Sequence, residues 1–221
     1  SVATGPLAVI YLSVYVNTSN APDLGLPAGA NIARSEDGGF SWDIVGGWEG
    51  ELMAAITICT DPVSGALYGT NQSGIVVVSL DGGVTFEITG IIDTDSPMLD
   101  CVVTPSGDIL VVESSYCGSA EEGPCSALWR STDGGATFTE AGKVIPNGQG
   151  GTLASMAVSP EGQLYAVGGQ NEVYTNDGAD LSTWTLAGVV DTGSGKEIQV
   201  VAAGEDGVLY AATPTSACAG A

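Results

Sequence analysis

Four short segments of the chain repeat one another: SEDGGFSW at residues 35 to 42, SLDGGVTF at 79 to 86, STDGGATF at 131 to 138, and a looser TNDGADLSTW at 175 to 184. Their aspartates, Asp37, Asp81, Asp133 and Asp177, are spaced by 44, 52 and 44 residues, a period in the range of a four-stranded blade. The longer middle interval contains YCGSAEEGPCS, bracketed by Cys117 and Cys125, an insertion of about eight residues against the 44-residue period.

Between these segments the remaining sequence also recurs. MAAITICTDPVSGALYGTN, MLDCVVTPSGDILVVES, LASMAVSPEGQLYAVGG and IQVVAAGEDGVLYAAT each read as strand, turn, strand. A repeat is therefore legible as strands a to d, with a and b flanking a Pro/Gly turn and c and d flanking the Asp-containing turn. A neighbour-to-neighbour antiparallel meander needs no helix. The 33 glycines and the short runs rich in Val, Ile, Thr and Tyr agree with strands throughout. The chain begins with b, c and d of a first repeat and ends with a and b of a fifth. Residues 1 to 10 supply either the missing first strand or a closing strand for the last unit, and the segment at 7 to 16, LAVIYLSVYV, reads as a strand. The expectation is an all-β, β-propeller-like array of four-stranded antiparallel blades in one domain, 1-221. Its repeats run at about 1-47, 48-92, 93-145, 146-190 and 191-221.

The repeated segment resembles the Asp-box, the Ser-x-Asp-x-Gly-x-Thr-Trp/Phe hairpin of bacterial sialidases and many other propellers. The resemblance implies a structural role. Asp37, Asp81, Asp133 and Asp177 accept backbone N–H bonds within the turn. Gly39, Gly83 and Gly135 permit positive φ, and Trp42, Phe86, Phe138 and Trp184 pack under the hairpin. The fourth copy departs from the pattern, with Ala179 in place of the second glycine and two extra residues before Trp184. Sialidase chemistry requires three arginines on the substrate carboxylate, and this chain has only Arg34 and Arg130.

Charge and cysteine usage bound the partners. With 26 acidic residues, four basic ones (Arg34, Arg130, Lys143 and Lys196) and a formal charge of -22, the chain cannot neutralise a row of phosphates, which argues against nucleic acid and anionic membrane. No apolar stretch of the sequence is long enough to span a bilayer. Five cysteines without histidine or Cys-x-x-Cys spacing exclude the usual zinc and haem motifs and suit an oxidising compartment, so the protein is expected to be secreted or at the cell surface. Cys117 and Cys125 are the first expected disulfide, stapling the inserted loop. Cys59 and Cys101, on successive a strands, are the second, although alignment on Pro62 and Pro105 sets them one residue out of register and so on opposite faces. Cys218 is then left over: free, paired with a cysteine taken from the other pairs, or bridging to another chain.

Each turn brings one reliable carboxylate, too few for the six to eight oxygens calcium prefers, and the segments at 49 to 52 (EGEL) and 93 to 96 (DTDS) are weak surface alternatives. No cofactor or metal site is expected, beyond loose calcium association. Asp100, on an inner strand, is the best single carboxylate for a glycosidase pair, against the reading of a hydrogen-bonded residue lining the axis. Tyr68, Tyr165 and Tyr210, equivalent on the b strands, are expected in the core, with Trp48 and Trp129 near strand ends.

The incomplete terminal repeats and a mean hydropathy of +0.26 favour a secreted, non-enzymatic protein that assembles with copies of itself into a filament, sheath or surface layer by strand completion. The alternatives are a glycan- or protein-binding propeller module, alone or as a fragment of a larger propeller, and a glycoside hydrolase.

Overall fold

The computed structural model of the chain describes residues 2–4, 9–16, 29–49, 57–94, 96–113, 125–145, 153–168, 171–193, 195–204 and 206–213. Runs of β-branched and aromatic residues between glycine-rich turns become strands, and the strands pair in chain order. The first sheet holds β1 (Val2–Thr4), β2 (Ile10–Val16), β3 (Gly29–Ser35) and β4 (Asp43–Glu49). Val2 pairs with Leu12, so the beginning of the chain supplies the first strand of the first sheet. The second sheet is β5 (Thr57–Thr60), β6 (Leu67–Thr70), β7 (Ile75–Ser79) and β8 (Glu87–Ile91), and the third is β9 (Met98–Val103), β10 (Ile109–Glu113), β11 (Cys125–Ser131) and β12 (Thr139–Ile145). The fourth is β13 (Leu153–Val158), β14 (Leu164–Gly168), β15 (Glu172–Asn176) and β16 (Thr185–Val189), and β17 (Val200–Ala203) pairs with β18 (Leu209–Ala212). An all-β array of four-stranded antiparallel blades is the fold observed.

The chain divides into two compact units, Ser1–Glu113 with Trp129–Glu140, and Ser114–Leu128 with Ala141–Ala221. In the first unit, strand alternation sends neighbouring side chains to different layers. Ile58 and Leu67 join Tyr11 and Ile32 of the first sheet in one core, while Cys59, Tyr68 and Val76 join Met98, Cys101 and Val111 of the third sheet in another. In the second unit Ala157, Val167 and Val173 pack on Ile198 and Val201. Complete burial of a side chain such as Ile58 or Leu67 contributes about 1.5–3 kcal/mol.

Cys59 and Cys101 are joined by a disulfide with a Cα–Cα distance of 5.7 Å, inside the usual range. Their one-residue offset is what allows the bond. The second and third sheets pack face to face, so a side chain leaving one face of the second sheet meets a side chain on the opposite face of the third. Equal register would have pointed both cysteines the same way around the stack and kept them apart. Cys117 and Cys218, and the side chain of Cys125, lie outside the described residues.

The b-strand tyrosines differ in environment. Tyr68 is buried, Tyr165 is half-buried, and Tyr210 is 58% exposed. The core expected for all three holds where a following sheet covers the strand pair; among the described residues no such sheet covers β17 and β18. Trp129 is half-buried, and the side chain of Trp48 lies outside the described residues.

Candidate functional site

The repeated hairpins are built around a buried serine. In the second, the Gly83 N–H donates to the Ser79 hydroxyl at 2.8 Å, which itself donates to Asp81 Oδ1 at 2.8 Å. The Asp81 carboxylate then receives the Thr85 N–H at 2.9 Å and the Thr85 hydroxyl at 2.6 Å. Ser35, Asp37 and Ser41 repeat this set in the first hairpin, and Ser131, Asp133 and Thr137 in the third. Gly83 and Gly135 both sit at φ +90, where a Cβ on Gly135 would come within 2.9 Å of Thr89, so only glycine fits. Asp37, Asp81 and Asp133 are lowered to a pKa of about 2, first by the hydroxyl of Ser41, Thr85 or Thr137, then by the N–H of that residue and the leading serine. Carboxylates committed in this way hold a turn and are poorly suited to proton transfer.

The fourth hairpin reaches the same end with different residues. Asn176 stands where the serine does elsewhere: its Oδ1 receives the Gly178 N–H at 2.7 Å, and its Nδ2 donates to the carbonyls of Asp180 and Thr183. The carboxylate that organises the turn is Asp180, which receives the N–H and hydroxyl of Ser182 and the hydroxyl of Thr183. The Ser182 hydroxyl is the main reason its pKa is lowered. Asp177 receives the Ala179 N–H alone among these donors. Asp177 thus accepts a turn N–H as expected, but the larger set of donors falls to Asp180, because the two extra residues move them down the chain. Trp184 is buried and donates its Nε1–H to the Leu181 carbonyl at 3.1 Å. Trp42 makes the equivalent bond to Gly39 yet remains 39% exposed, so its packing under the hairpin is only partial.

Sequence reasoning missed a second repeated element. Four residues after each terminal aromatic stands a glycine, Gly46, Gly90, Gly142 and Gly188. In β4, β8 and β16 the residue before it, Val45, Thr89 or Ala187, is skipped by the pairing register as a bulge. The bulge turns the strand so that the next repeat's hairpin lies on the glycine. A Cβ at Gly46 would collide with the Gly83 and Val84 carbonyls, one at Gly90 with the Gly135 carbonyl, and one at Gly142 with Leu181 and Ser182. The identical spacing from the aromatic was the available signal.

Equivalent positions on β5, β9, β13 and β17 supply further polar groups. The N–H groups of Asp61, Thr104, Ser159 and Gly204 close equivalent turns, and four residues before them stand Thr57, Asp100, Ser155 and Val200. Asp100 is half-buried, and its Oδ1 receives the Thr57 hydroxyl at 3.2 Å and the Cys101 N–H at 2.9 Å. In the second unit the Ser155 hydroxyl receives the Val201 N–H at 3.3 Å. Two other carboxylates are buried. Glu113 receives the Thr94 hydroxyl at 2.8 Å and the Trp129 Nε1–H at 3.2 Å. Glu172 receives the Tyr174 hydroxyl at 2.6 Å. Burial, and then this bond to Glu172, push the Tyr174 pKa upward.

Among the described residues no group of three or more His, Cys, Asp or Glu side chains is arranged to hold a metal. In the segment 93 to 96, the Thr94 hydroxyl is occupied by Glu113 and the Ser96 N–H, and Asp95 lies outside the described residues. Of the segment 49 to 52, only the backbone of Glu49 is described. Arg34 pairs with Glu36 at 3.0 Å, and Arg130 with Asp108 at 2.6 Å. No described helix is long and apolar enough to cross a membrane.

Comparison with known proteins adds to this geometry. The Tachylectin family model matches residues 116–218. A xyloglucanase of Paenibacillus sp is 28% identical over 143 residues, covering 57% of this chain and 13% of its own length. Among solved structures, YCF48 bound to D1 peptide superposes with a TM-score of 0.58 at 15% identity, over 96% of this chain and 59% of that one. An ancestral GH74 enzyme superposes with a TM-score of 0.56 at 14% identity, over 92% of this chain and 25% of that one. The chain thus spans about an eighth of the xyloglucanase it matches, and the structural likenesses place its blades in the β-propeller class. These matches overturn the expectation that the chain is not an enzyme. The curated relative is a glycoside hydrolase, and the missing arginines exclude only the three-arginine chemistry. A pair of carboxylates needs none.

Proposed function

We propose that this chain is a blade array of a secreted, polysaccharide-directed glycoside hydrolase whose substrate class is xyloglucan-like β-glucan. The observation that carries the reading is the sequence match to a xyloglucanase, and the likeness in fold to a GH74 enzyme supports it. This reading takes the place of the fibre-forming one because one match is a xyloglucanase and another is a GH74 enzyme. The Cys59–Cys101 disulfide agrees with an oxidising compartment, and on this reading the four hairpins are Asp-boxes that serve as scaffold.

Within the chain Asp100 is the carboxylate we assign to the reaction. It stands on β9, an end strand of its sheet, and one oxygen is oriented by Thr57 and Cys101, so the carboxylate is held in one orientation, as a general acid or base requires. Its partner carboxylate would stand about 5 to 10 Å away across the glycosidic bond. The buried Glu113 and Glu172, engaged by Trp129 and Tyr174, are read as structural. Incubation of the chain with tamarind xyloglucan, followed by reducing-end and viscosity measurements, tests the reading. Release that Asp100→Ala abolishes is the expected outcome; a polymer left unchanged, with no retention of the chain in a xyloglucan-containing gel, overturns it.

A further inference from the structure

The chain contains five Asp–Gly steps: Asp37–Gly38, Asp81–Gly82, Asp133–Gly134, Asp177–Gly178 and Asp206–Gly207. An Asp–Gly step is chemically labile, because glycine has no side chain to keep its backbone nitrogen away from the preceding carboxyl. Attack by that nitrogen makes two demands on the aspartate. The carboxyl must be protonated, so that an oxygen can leave as water, and it must be able to turn its carbon toward the nitrogen.

The first three hairpins deny both. Asp37, Asp81 and Asp133 each receive the hydroxyl of the leading serine, together with the N–H and hydroxyl of Ser41, Thr85 or Thr137. These donors engage both oxygens of each carboxylate, so turning it would break the whole set. They also hold it ionised at neutral pH, with a pKa of about 2. The fourth hairpin has moved its donors to Asp180 and left its Asp–Gly step outside the set. Asp177 and Gly178 are both exposed, and among the described residues Asp177 receives a single N–H, from Ala179 at 3.0 Å, on one oxygen. The Gly178 N–H is bound by a side chain, at Asn176 Oδ1. At the fifth step the Gly207 N–H is instead tied to the Gly204 carbonyl, in a turn that the Gly204 N–H closes on the Val208 carbonyl, so attack there also opens a backbone turn.

We propose that Asp177–Gly178 is a site of spontaneous isoaspartate formation, and that the hydrogen-bond set of the other three hairpins shields the Asp–Gly step inside each of them. The Gly178 nitrogen bonds to Asp177 Cγ and gives up its proton, and the carboxyl hydroxyl takes that proton and departs as water, leaving a cyclic imide. A water then opens the ring. Opening at Cγ restores aspartate, whereas opening at the main-chain carbonyl routes the backbone through Cβ and Cγ and gives isoaspartate. The water lost is regained, and nothing is oxidised or reduced. The product adds a methylene to the main chain between Asn176 and Gly178, inside the span over which Asn176 holds the Gly178 N–H and the Asp180 and Thr183 carbonyls. The lesion therefore loosens the hairpin that carries it.

The test incubates the folded 221-residue chain at neutral pH and body temperature, with enzymatic methylation of isoaspartyl carboxyls and mass spectrometry of the peptides reporting each step over time. Isoaspartate should accumulate at Asp177 at least about tenfold faster than at Asp37, Asp81 and Asp133. In the reduced chain unfolded in urea these four rates should converge, since each aspartate precedes a glycine and only the fold sets them apart. Thr85→Val removes a hydroxyl donor from Asp81 and should raise the rate at Asp81 while leaving Asp177 unchanged. Equal rates at the four steps of the folded chain, the same spread of rates in the unfolded chain, or an unchanged rate at Asp81 in Thr85→Val overturns the shielding. Isomerisation at Asp206 with none at Asp177 overturns the assigned site.

Discussion

Removing the Cys59–Cys101 bridge isolates the contribution of a disulfide that links two packed sheets. The bond closes a loop of sequence separation 42, and chain-entropy arithmetic for a loop of that length gives about 4 kcal/mol of stabilisation at 25 °C through the unfolded state. Each cysteine is also buried in the core shared by the second and third sheets, so reduction leaves the sulfurs in place and changes mainly the freedom of the unfolded chain. For a chain of this size the loss corresponds to a melting temperature lower by about 8–16 °C. Calorimetry of the parent, the parent after reduction, and the Cys59→Ala/Cys101→Ala double variant measures it, with the remaining thiols counted by mass spectrometry. The variant should melt at or slightly below the reduced parent, since it also loses sulfur packing. If opening this bridge shifts the melting temperature by less than about 3 °C, the loop-entropy reasoning is wrong.

The remaining predictions concern the hairpins and their seats. Asp37, Asp81 and Asp133 have folded pKa values of about 2 against an unfolded 3.8, so their contribution is fully present above about pH 4 and is lost as pH falls toward 2. Urea midpoints measured across that window should fall, and the triple Asp→Asn variant should show a flatter profile. Asp180→Ala should lower the melting temperature measurably, while Asp177→Ala should leave it close to the parent value, because Asp180 takes three donors where Asp177 takes one. Gly90→Ala forces a methyl against the Gly135 carbonyl and should cost about 1–3 kcal/mol in denaturant unfolding.

The hairpins were legible in the sequence because their chemistry is local. A serine, an aspartate and a threonine six positions apart satisfy one another within a single turn, so a linear motif carries the whole arrangement. The same locality made the strand order readable, since every pairing in the four-stranded sheets joins neighbours in the chain. What escaped is what depends on sheets stacking face to face. Gly46, Gly90 and Gly142 carry no side chain, and their importance shows only when the following hairpin is in place. Cys59 and Cys101 looked mismatched in register because faces were compared within sheets, whereas the bond forms between sheets. Asp180 escaped because the fourth copy was read position by position against the others, while the hydrogen bonds follow the donors Ser182 and Thr183. The non-enzymatic expectation rested on the missing third arginine and on Asp100 being a single candidate carboxylate among 26 acids, and neither excludes a two-carboxylate glycosidase.

Whether these blades serve a glycoside hydrolase acting on xyloglucan-like polysaccharide, with Asp100 at the reaction, is decided by calorimetric titration of the chain with xyloglucan oligosaccharides, beside Asp100→Asn. The parent should bind saturably and the variant, with its fold and Cys59–Cys101 bridge intact, should show an altered affinity. Heats indistinguishable from dilution for the parent at millimolar oligosaccharide, or identical isotherms for both proteins, would contradict it.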